Sequence, residues 1–232
     1  MPGHSGYCES VVREADKDRF LATLFAPARC RPDLYALYAF DIETAAVASR
    51  IRDPLAGEVR FQWWHDAISG TVDATGHPVA EALLDVLSRH GLTNASALAL
   101  IDLRREALYG GGALTDGDFE LYSSATTGTI YAMAAQVLGG VLTDAARLAS
   151  HHAGVAAAAA RAEPADVAFD RLAYARRHLA AVKALVAEMP APFLPAFLPL
   201  ALLRPSLEHP SLPQWRKQWI LWRASKNLAA YL

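Results

Sequence analysis

Apolar residues recur every three or four positions along most of this chain, and alternating β-branched runs bounded by turns are missing. Such spacing is typical of helices that bury one face, whereas alternation would indicate strands. The pattern therefore predicts an all-α fold. The predicted helices cover residues 6–24, 31–51, 57–69, 77–89, 94–109, 116–138, 142–162, 167–188, 192–203 and 212–230.

Several glycine and proline residues mark the starts and ends of these predicted helices. Pro32 suits the first turn of a helix, Gly91 follows the end of another, and glycines at 110–112 and 139–140 form joints. With 232 residues, of which 53% are hydrophobic and 20% charged, the chain has enough apolar material for one large core. We expect a single domain over residues 1–232.

Charge and cysteine content narrow the classes of function. A formal net charge of −2 supplies no basic field that would attract nucleic-acid phosphates. Cys8 and Cys30 form neither a CxxC pair nor a disulfide framework, which favours a reducing compartment.

The N-terminal segment lacks the apolar core of a signal peptide, and the apolar stretch at 191–203 is too short to span a membrane. We expect a cytoplasmic protein, or one held peripherally at the inner face of the membrane.

Three blocks of sequence resemble the squalene/phytoene synthase family. The first third of that family is similar to DRFLATLFAPARCRPDLYALYAF, followed by PLAGEVRFQWWHDAISG. Its central helices are similar to IDLRREALYGG and FELYSSATTGTIYAMAAQVLG, and its late helix pair to AYARRHLAAVKALVAEMPAPFLPAFLPLALL. The resemblance implies an isoprenoid-synthase-like helical bundle around a central cavity.

In catalytic members of this family, two aspartate-rich motifs on facing helices bind Mg²⁺, which holds and ionises a prenyl diphosphate. Carboxylates four positions apart share one face of a helix, and their hard oxygens suit Mg²⁺. The resemblance also implies that a set of residues lines the cavity. Close packing of helices would equally explain the small hydroxyls of Thr126 and Thr127, and burial in the core would explain Trp63. These candidate residues are Tyr38, Gln62, Trp63, Tyr122, Thr126 and Thr127.

The first aspartate-rich motif is missing from this chain. Counted from the YAF turn, its three acids fall on Ala45, Ala46 and Ser49. Asp41 and Glu43 remain nearby, but side chains two positions apart on a helix point about 200° away from each other. The helix is therefore expected to have kept its packing role and lost its metal role.

The second motif is represented only by Asp166 and Asp170, which have a D-x-x-x-D spacing. Pro164 interrupts the helix just before them, and the chain is shorter here than the family pattern by about one loop and helix. We interpret the two acids as the solvated start of a helix, where negative charge is favoured. If the protein were catalytic, Asp166 and Asp170 would be the surviving Mg²⁺ ligands, with Asp41 and Glu43 as displaced ones.

The run AFDIETAAVA closely resembles the segment that replaces the first motif in one subgroup of the family. That subgroup lacks the aspartate motifs and includes a mitochondrial assembly factor for respiratory complex I. The resemblance implies a non-catalytic protein without a cofactor, whose partner is a subunit or another assembly factor of a membrane complex. Two alternatives stay open, a Mg²⁺-dependent head-to-head prenyltransferase and a protein that binds an isoprenoid or other lipid.

The last predicted helix carries a stripe of tryptophans. Trp215, Trp219 and Trp222 fall at positions i, i+4 and i+7, with Arg216 and Arg223 alongside. This pattern is expected of a helix at an anionic membrane or at a partner protein. Packing against the bundle, as the last helix of other family members does, would also explain it.

Two histidine motifs are candidate metal sites. An HD-type phosphohydrolase would need further histidines beyond the His65-Asp66 pair, so we interpret that pair as surface charge. His151 and His152 are neighbours that point to different faces of a helix. We therefore expect both to be surface residues without a metal, and no metal site is predicted.

Overall fold

Helices form the regular elements of a computed structural model that describes residues 4–50, 53–110, 113–208 and 212–232. The all-α prediction is confirmed. The helices are α1 (His4–Ala15), α2 (Lys17–Thr23), α3 (Arg31–Arg50), α4 (Pro54–Ser69), α5 (Pro78–Arg89), α6 (Asn94–Glu106), α7 (Asp116–Ser123), α8 (Thr129–Gly139), α9 (Asp144–Arg161), α10 (Arg171–Val186), α11 (Leu194–Phe197), α12 (Leu203–Glu208) and α13 (Gln214–Ala224).

Three predicted helices are interrupted, each for a local reason. The helix predicted over 6–24 divides at Asp16, whose carboxylate accepts the backbone N–H of Arg19 and so caps α2. The helix predicted over 116–138 contains a π-helical turn at Ser124–Gly128 between α7 and α8. The helix predicted over 192–203 is largely 3₁₀, because Pro195 and Pro199 lack the backbone N–H that a continuous α-helix needs.

The core is built around α3, which packs against α1, α5 and α8. Leu37 and Phe40 of α3 are fully buried, and the ring of Phe40 meets that of Trp64 edge to face at a centroid distance of 5.3 Å. Aromatic pairs in this arrangement contribute beyond the area they bury. The helix that carries the altered motif is thus held rigidly in the centre of the bundle.

The π-helical turn and α9 approach each other backbone to backbone. A Cβ atom added to Gly154 would lie 2.3 Å from the backbone nitrogen of Gly128. Glycine is required here because a larger residue would force the two helices apart. The contact fixes α9 directly behind the turn that carries Thr126 and Thr127.

The connection from α9 to α10 occupies residues 162–170. This is the region in which the sequence predicts a chain shorter than the family pattern. It contains one 3₁₀ turn, Pro164–Asp166, and pairs with Leu114 through two backbone hydrogen bonds of 3.0 and 2.9 Å. The chain thus passes from α9 into α10 through a single short turn. Across the described residues, no helix combines the length and apolar character needed to cross a bilayer.

Candidate functional site

Asp41 lies at the centre of the bundle between two arginines. Its Oδ2 accepts a hydrogen bond from Nη1 of Arg19 at 2.5 Å, and its Oδ1 accepts one from Nη2 of Arg104 at 2.5 Å. Asp41 is 7% exposed, Arg19 5% and Arg104 6%. These three residues, here called the arginine triad, join α2, α3 and α6.

The triad carries net positive charge. Burial raises the pKa of Asp41, but the guanidinium groups of Arg19 and Arg104 lower it more, so the pKa lies well below its usual range. Burial lowers the pKa of Arg19 and the carboxylates of Asp41 and Asp16 raise it, with a net rise above the ordinary value. Arg104 also donates to the Asp41 carbonyl oxygen at 3.1 Å and to the hydroxyl of Thr44. Within the triad two guanidinium ions therefore face one carboxylate, while Asp16 lies 3.4 Å from Nε of Arg19 at the edge of the group.

This arrangement does not fit a Mg²⁺ ion. Both carboxylate oxygens of Asp41 already accept charge-assisted hydrogen bonds, and the nearest groups are cations that would repel a divalent ion. One turn further along α3, Ala45 is exposed and Ala46 half-buried, and neither offers an oxygen ligand from its side chain. The side chain of Ser49, the third motif position, lies outside the described residues.

A small cavity lies beside the triad. Its volume is ≈ 190 Å³, below the roughly 300–1,000 Å³ that is usual for small-molecule sites. Tyr122, Thr126 and Thr127, three of the predicted cavity residues, are part of its lining. The remaining lining residues are Thr44, Ala45, Phe61 and Arg104.

The other three predicted cavity residues lie elsewhere. Tyr38 is buried, and the guanidinium of Arg19 sits 5.1 Å from its ring centroid. Gln62 is exposed and donates to Asp66 at 2.8 Å. Trp63 is half-buried, with its ring centroid 4.7 Å from that of His77. Sequence reasoning placed these residues on the correct helices but did not resolve which of them face the small cavity.

The four acids that would serve as Mg²⁺ ligands in a catalytic protein are spread over the bundle. Glu43 faces α5, with its Oε2 3.6 Å from Nε2 of His77, whereas Asp41 faces α2 and α6. Asp166 is exposed in the turn after α9. Asp170 is the N-cap of α10, and its Oδ1 accepts the backbone N–H groups of Leu172 and Ala173. The carboxylates of Asp41 and Asp170 are thus each engaged in local structure.

A larger cavity, of ≈ 490 Å³, has Arg19 in its wall and was not predicted from the sequence. We call it the α2 cavity; its walls include Asp16, Arg19, Tyr131, Arg161, Leu202 and Lys217. The cations at its rim are paired, because Lys217 binds Asp18 at 2.8 Å and Arg161 lies 3.7 Å from Asp16. The charged run DKDR, just before the apolar stretch FLATLF, was the one sequence signal for it.

The prediction that His151 and His152 are surface residues is wrong. Both are half-buried, and Nδ1 of His152 lies 3.0 Å from Nδ1 of the buried His178 on α10. His151 contacts Glu120 of α7 at 3.0 Å through Nε2. Burial lowers the pKa of His178 to about 4 and outweighs the opposing effect of Glu120, and burial together with His151 lowers the pKa of His152. The sequence could not show this cluster, because His178 arrives from another helix.

The tryptophan stripe faces solvent. Trp215 is 70% exposed, Trp219 50% and Trp222 52%. The opposite side of α13 holds it to the bundle through Ile220 and Leu221, which are buried. Packing of the tryptophans against the bundle, one of the two explanations drawn from the sequence, is therefore wrong.

Comparison with known sequences gives a family and a set of relatives. Residues 12–162 match the family model described as squalene/phytoene synthase. The chain is 31% identical over 153 residues to "NADH dehydrogenase (ubiquinone) complex I, assembly factor 6" of Mus musculus, and 28% identical over 151 residues to the Homo sapiens protein of that name. These alignments cover 65% and 64% of this chain but 46% and 45% of the relatives. The chain thus spans about half the length of the curated relatives it matches.

Comparison with solved structures supports the fold. The crystal structure of a dehydrosqualene synthase in complex with ligand superposes with a TM-score of 0.73 at 17% identity, covering 98% of this chain and 97% of that one. The squalene synthase HpnC from Alicyclobacillus acidocaldarius gives a TM-score of 0.64 at 17% identity, covering 98% and 94%. The predicted isoprenoid-synthase-like bundle is confirmed.

Proposed function

This chain belongs to the squalene/phytoene synthase family, and we propose that it is a non-catalytic member that helps to assemble or stabilise a membrane complex of the respiratory complex I type. The arginine triad carries the first half of the proposal. It puts two guanidinium ions against the buried Asp41 of α3, beside alanines at two positions of the missing motif.

Ionisation of a prenyl diphosphate by Mg²⁺ needs carboxylates that hold the metal while charge develops on the leaving group. The donor set around Asp41 does not fit that ion, and the cavity beside it is ≈ 190 Å³. Asp170 is occupied as a helix cap. We therefore infer that the protein does not transfer prenyl groups and needs no Mg²⁺.

The assembly role is supported by the relatives. The complex I assembly factor 6 proteins of Mus musculus and Homo sapiens share 31% and 28% of aligned residues with this chain. An assembly factor needs surfaces for its client rather than a reaction centre. The partner we propose is a subunit, or another assembly factor, of such a membrane complex.

We propose further that α13 brings the protein to an anionic membrane surface. Trp215, Trp219 and Trp222 are exposed on one stripe, and Arg216 and Arg223 are exposed beside them. Tryptophan favours the interface between headgroups and acyl chains, and arginine is attracted to anionic headgroups. The expected location is therefore the inner face of the membrane that holds the client complex.

Deletion of the gene tests the assembly role. We expect less assembled complex on native gels and lower NADH:quinone oxidoreductase activity, restored by the wild-type gene. A Trp215→Ala, Trp219→Ala, Trp222→Ala variant should restore less, while Val59→Ala, which changes a residue 71% exposed on α4, should restore fully. Unaltered complex in the deletion strain would contradict the proposal.

A second candidate function is binding of an isoprenoid or other lipid without turnover. The α2 cavity favours it, because ≈ 490 Å³ lies within the usual range for ligand sites and apolar residues such as Leu202 line part of it. Native mass spectrometry of the purified protein should then show a bound lipid. Substitution of Leu202 by tryptophan would fill the cavity and remove that lipid, whereas a lipid retained in full would show that it binds elsewhere.

A further inference from the structure

Three histidines from two helices meet behind the π-helical turn. Each of His151, His152 and His178 offers a ring nitrogen, and these three atoms lie within 4.8 Å of one another. Glu120 of α7 lies against the same group, 3.0 Å from Nε2 of His151 and 3.8 Å from Nε2 of His178. We propose that this cluster is a binding site for a divalent transition-metal ion of the Zn²⁺ class.

The spacing of the nitrogens suits such an ion. Zn²⁺ binds imidazole at about 2.0–2.1 Å with tetrahedral geometry, so neighbouring ligand atoms stand about 3.3 Å apart. The distance of 3.0 Å between the Nδ1 atoms of His152 and His178 is close to that value. Small rotations of the rings would bring all three nitrogens to one centre.

The chemistry of the ligands selects the class of metal. Imidazole nitrogens favour Zn²⁺ and its transition-metal neighbours, whereas Mg²⁺ and Ca²⁺ favour oxygen. The carboxylate of Glu120 supplies negative charge and either completes the ligand set or orients His151. The site is thus chemically unlike the Mg²⁺ motifs of the family and does not depend on the proposed function.

Groups around the cluster would hold the ligands in place. The hydroxyl of Tyr174 donates to Oε2 of Glu120 at 2.8 Å, and the hydroxyl of Ser124 lies 2.7 Å from Nδ1 of His151. Whichever nitrogen of His151 binds the ion, the other one keeps a polar partner. Such outer contacts are typical of metal-binding histidines.

The position of the site implies a structural role. Glu120 belongs to α7, Ser124 to the π-helical turn, His151 and His152 to α9, and His178 to α10. An ion here would tie these elements together directly behind Thr126 and Thr127, which line the small cavity. Metal binding would therefore stabilise this half of the bundle.

One cation opposes the ion. Nη2 of the exposed Arg177 lies 3.4 Å from Nε2 of His178, and the guanidinium stacks 4.4 Å from the ring centroid of Tyr174. A bound Zn²⁺ would repel this guanidinium, which can swing into solvent. Arg177→Ala should therefore tighten binding several-fold, an effect that a purely structural histidine network would not produce.

The test uses the full chain stripped of metal with a chelator and then titrated with Zn²⁺ alone. We expect one Zn²⁺ per chain after dialysis, a higher melting temperature, and with Co²⁺ the visible absorption of a tetrahedral site. His152→Ala and His178→Asn should each lose the bound metal, while His65→Ala, a histidine of α4, should keep it. Mg²⁺ at the same concentration should change neither the metal content nor the melting temperature.

Because His178 is buried, its variant could lose metal by unfolding. His152 is half-buried, so His152→Ala with unchanged helix content in circular dichroism separates the two causes. Wild-type protein that retains no Zn²⁺ would overturn the proposal. So would a His152→Ala variant that binds Zn²⁺ as tightly as wild type.

Discussion

Arg19 and Asp41 form a buried ion pair, with 2.5 Å between Nη1 and Oδ2, that connects α2 to the central helix α3. Arg104 completes the triad from α6 on the other carboxylate oxygen. Buried charges cost much free energy unless they are paired and hydrogen-bonded, and here each member depends on the others. The triad thus ties three helices of the bundle together at Asp41.

Removal of the central acid should destabilise the fold strongly. Asp41→Ala removes the acid that both buried guanidinium ions share and leaves Arg19 only with Asp16, 3.4 Å from its Nε. We therefore expect the free energy of unfolding to fall by about 3–5 kcal/mol. Asp85→Ala is the control, because it breaks an exposed ion pair with Arg89 and should cost at most about 1 kcal/mol. Urea denaturation measures both, and equal small losses would contradict the structural role of the triad.

The triad should also make stability depend on pH in the acid range. The pKa of Asp41 lies well below its usual range in the folded protein and near 3.9, its ordinary value, when unfolded. The stabilisation is therefore present above about pH 4 and is lost as pH falls towards the folded pKa. The difference in unfolding free energy between wild type and Asp41→Asn should shrink as the pH falls from about 5 to 2. A difference that stays constant or grows on acidification would contradict this pH dependence.

The contact between the π-helical turn and α9 should tolerate no side chain. Gly154→Ala would place a Cβ 2.3 Å from the backbone nitrogen of Gly128, and we expect a loss of about 1–3 kcal/mol. Gly117→Ala in α7 is the matched control, since its Cβ would meet nothing within 4 Å. That variant should be neutral or slightly stabilising. Equal stability of the two variants would show that the two helices can move apart freely.

The tryptophan stripe should bind anionic bilayers. In flotation with vesicles rich in phosphatidylglycerol, we expect the wild-type protein to bind and the triple variant Trp215→Ala, Trp219→Ala, Trp222→Ala to remain in solution. Arg216→Ala, Arg223→Ala should weaken binding more at low than at high salt, because salt screens exposed charges. Similar melting temperatures would show that the variants are folded. Binding that survives the triple substitution would exclude α13 as the membrane contact.

Local periodicity predicted most of the helices, because amphipathic spacing and the glycine and proline breaks are written into short stretches of chain. Periodicity does not predict contacts between residues that are distant in the sequence. Arg19 and Arg104 lie 22 and 63 residues from Asp41, so nothing local indicates that they meet at that carboxylate. The segment SATTG is poor in strong helix formers, but nothing in it distinguishes a π-helical turn from another kind of break, and the Gly154 that it approaches lies on another helix.

The histidine cluster and the tryptophan stripe show the same limit. Neighbouring histidines do point to different faces of an isolated helix. His178, which lies 26 residues beyond His152 and belongs to α10, completes the cluster by packing against His152. Spacing predicted that the three tryptophans share a stripe. Whether that stripe faces the core depended on Ile220 and Leu221, which take the buried side of α13.

The most direct measurement is diphosphate release from farnesyl diphosphate by the purified protein with and without Mg²⁺, with a dehydrosqualene synthase as the positive control. Because two arginines hold both carboxylate oxygens of Asp41, we expect no release above the protein-free reaction at any Mg²⁺ concentration. Mg²⁺-dependent release that Asp166→Ala abolishes would contradict the account and make this protein a prenyltransferase.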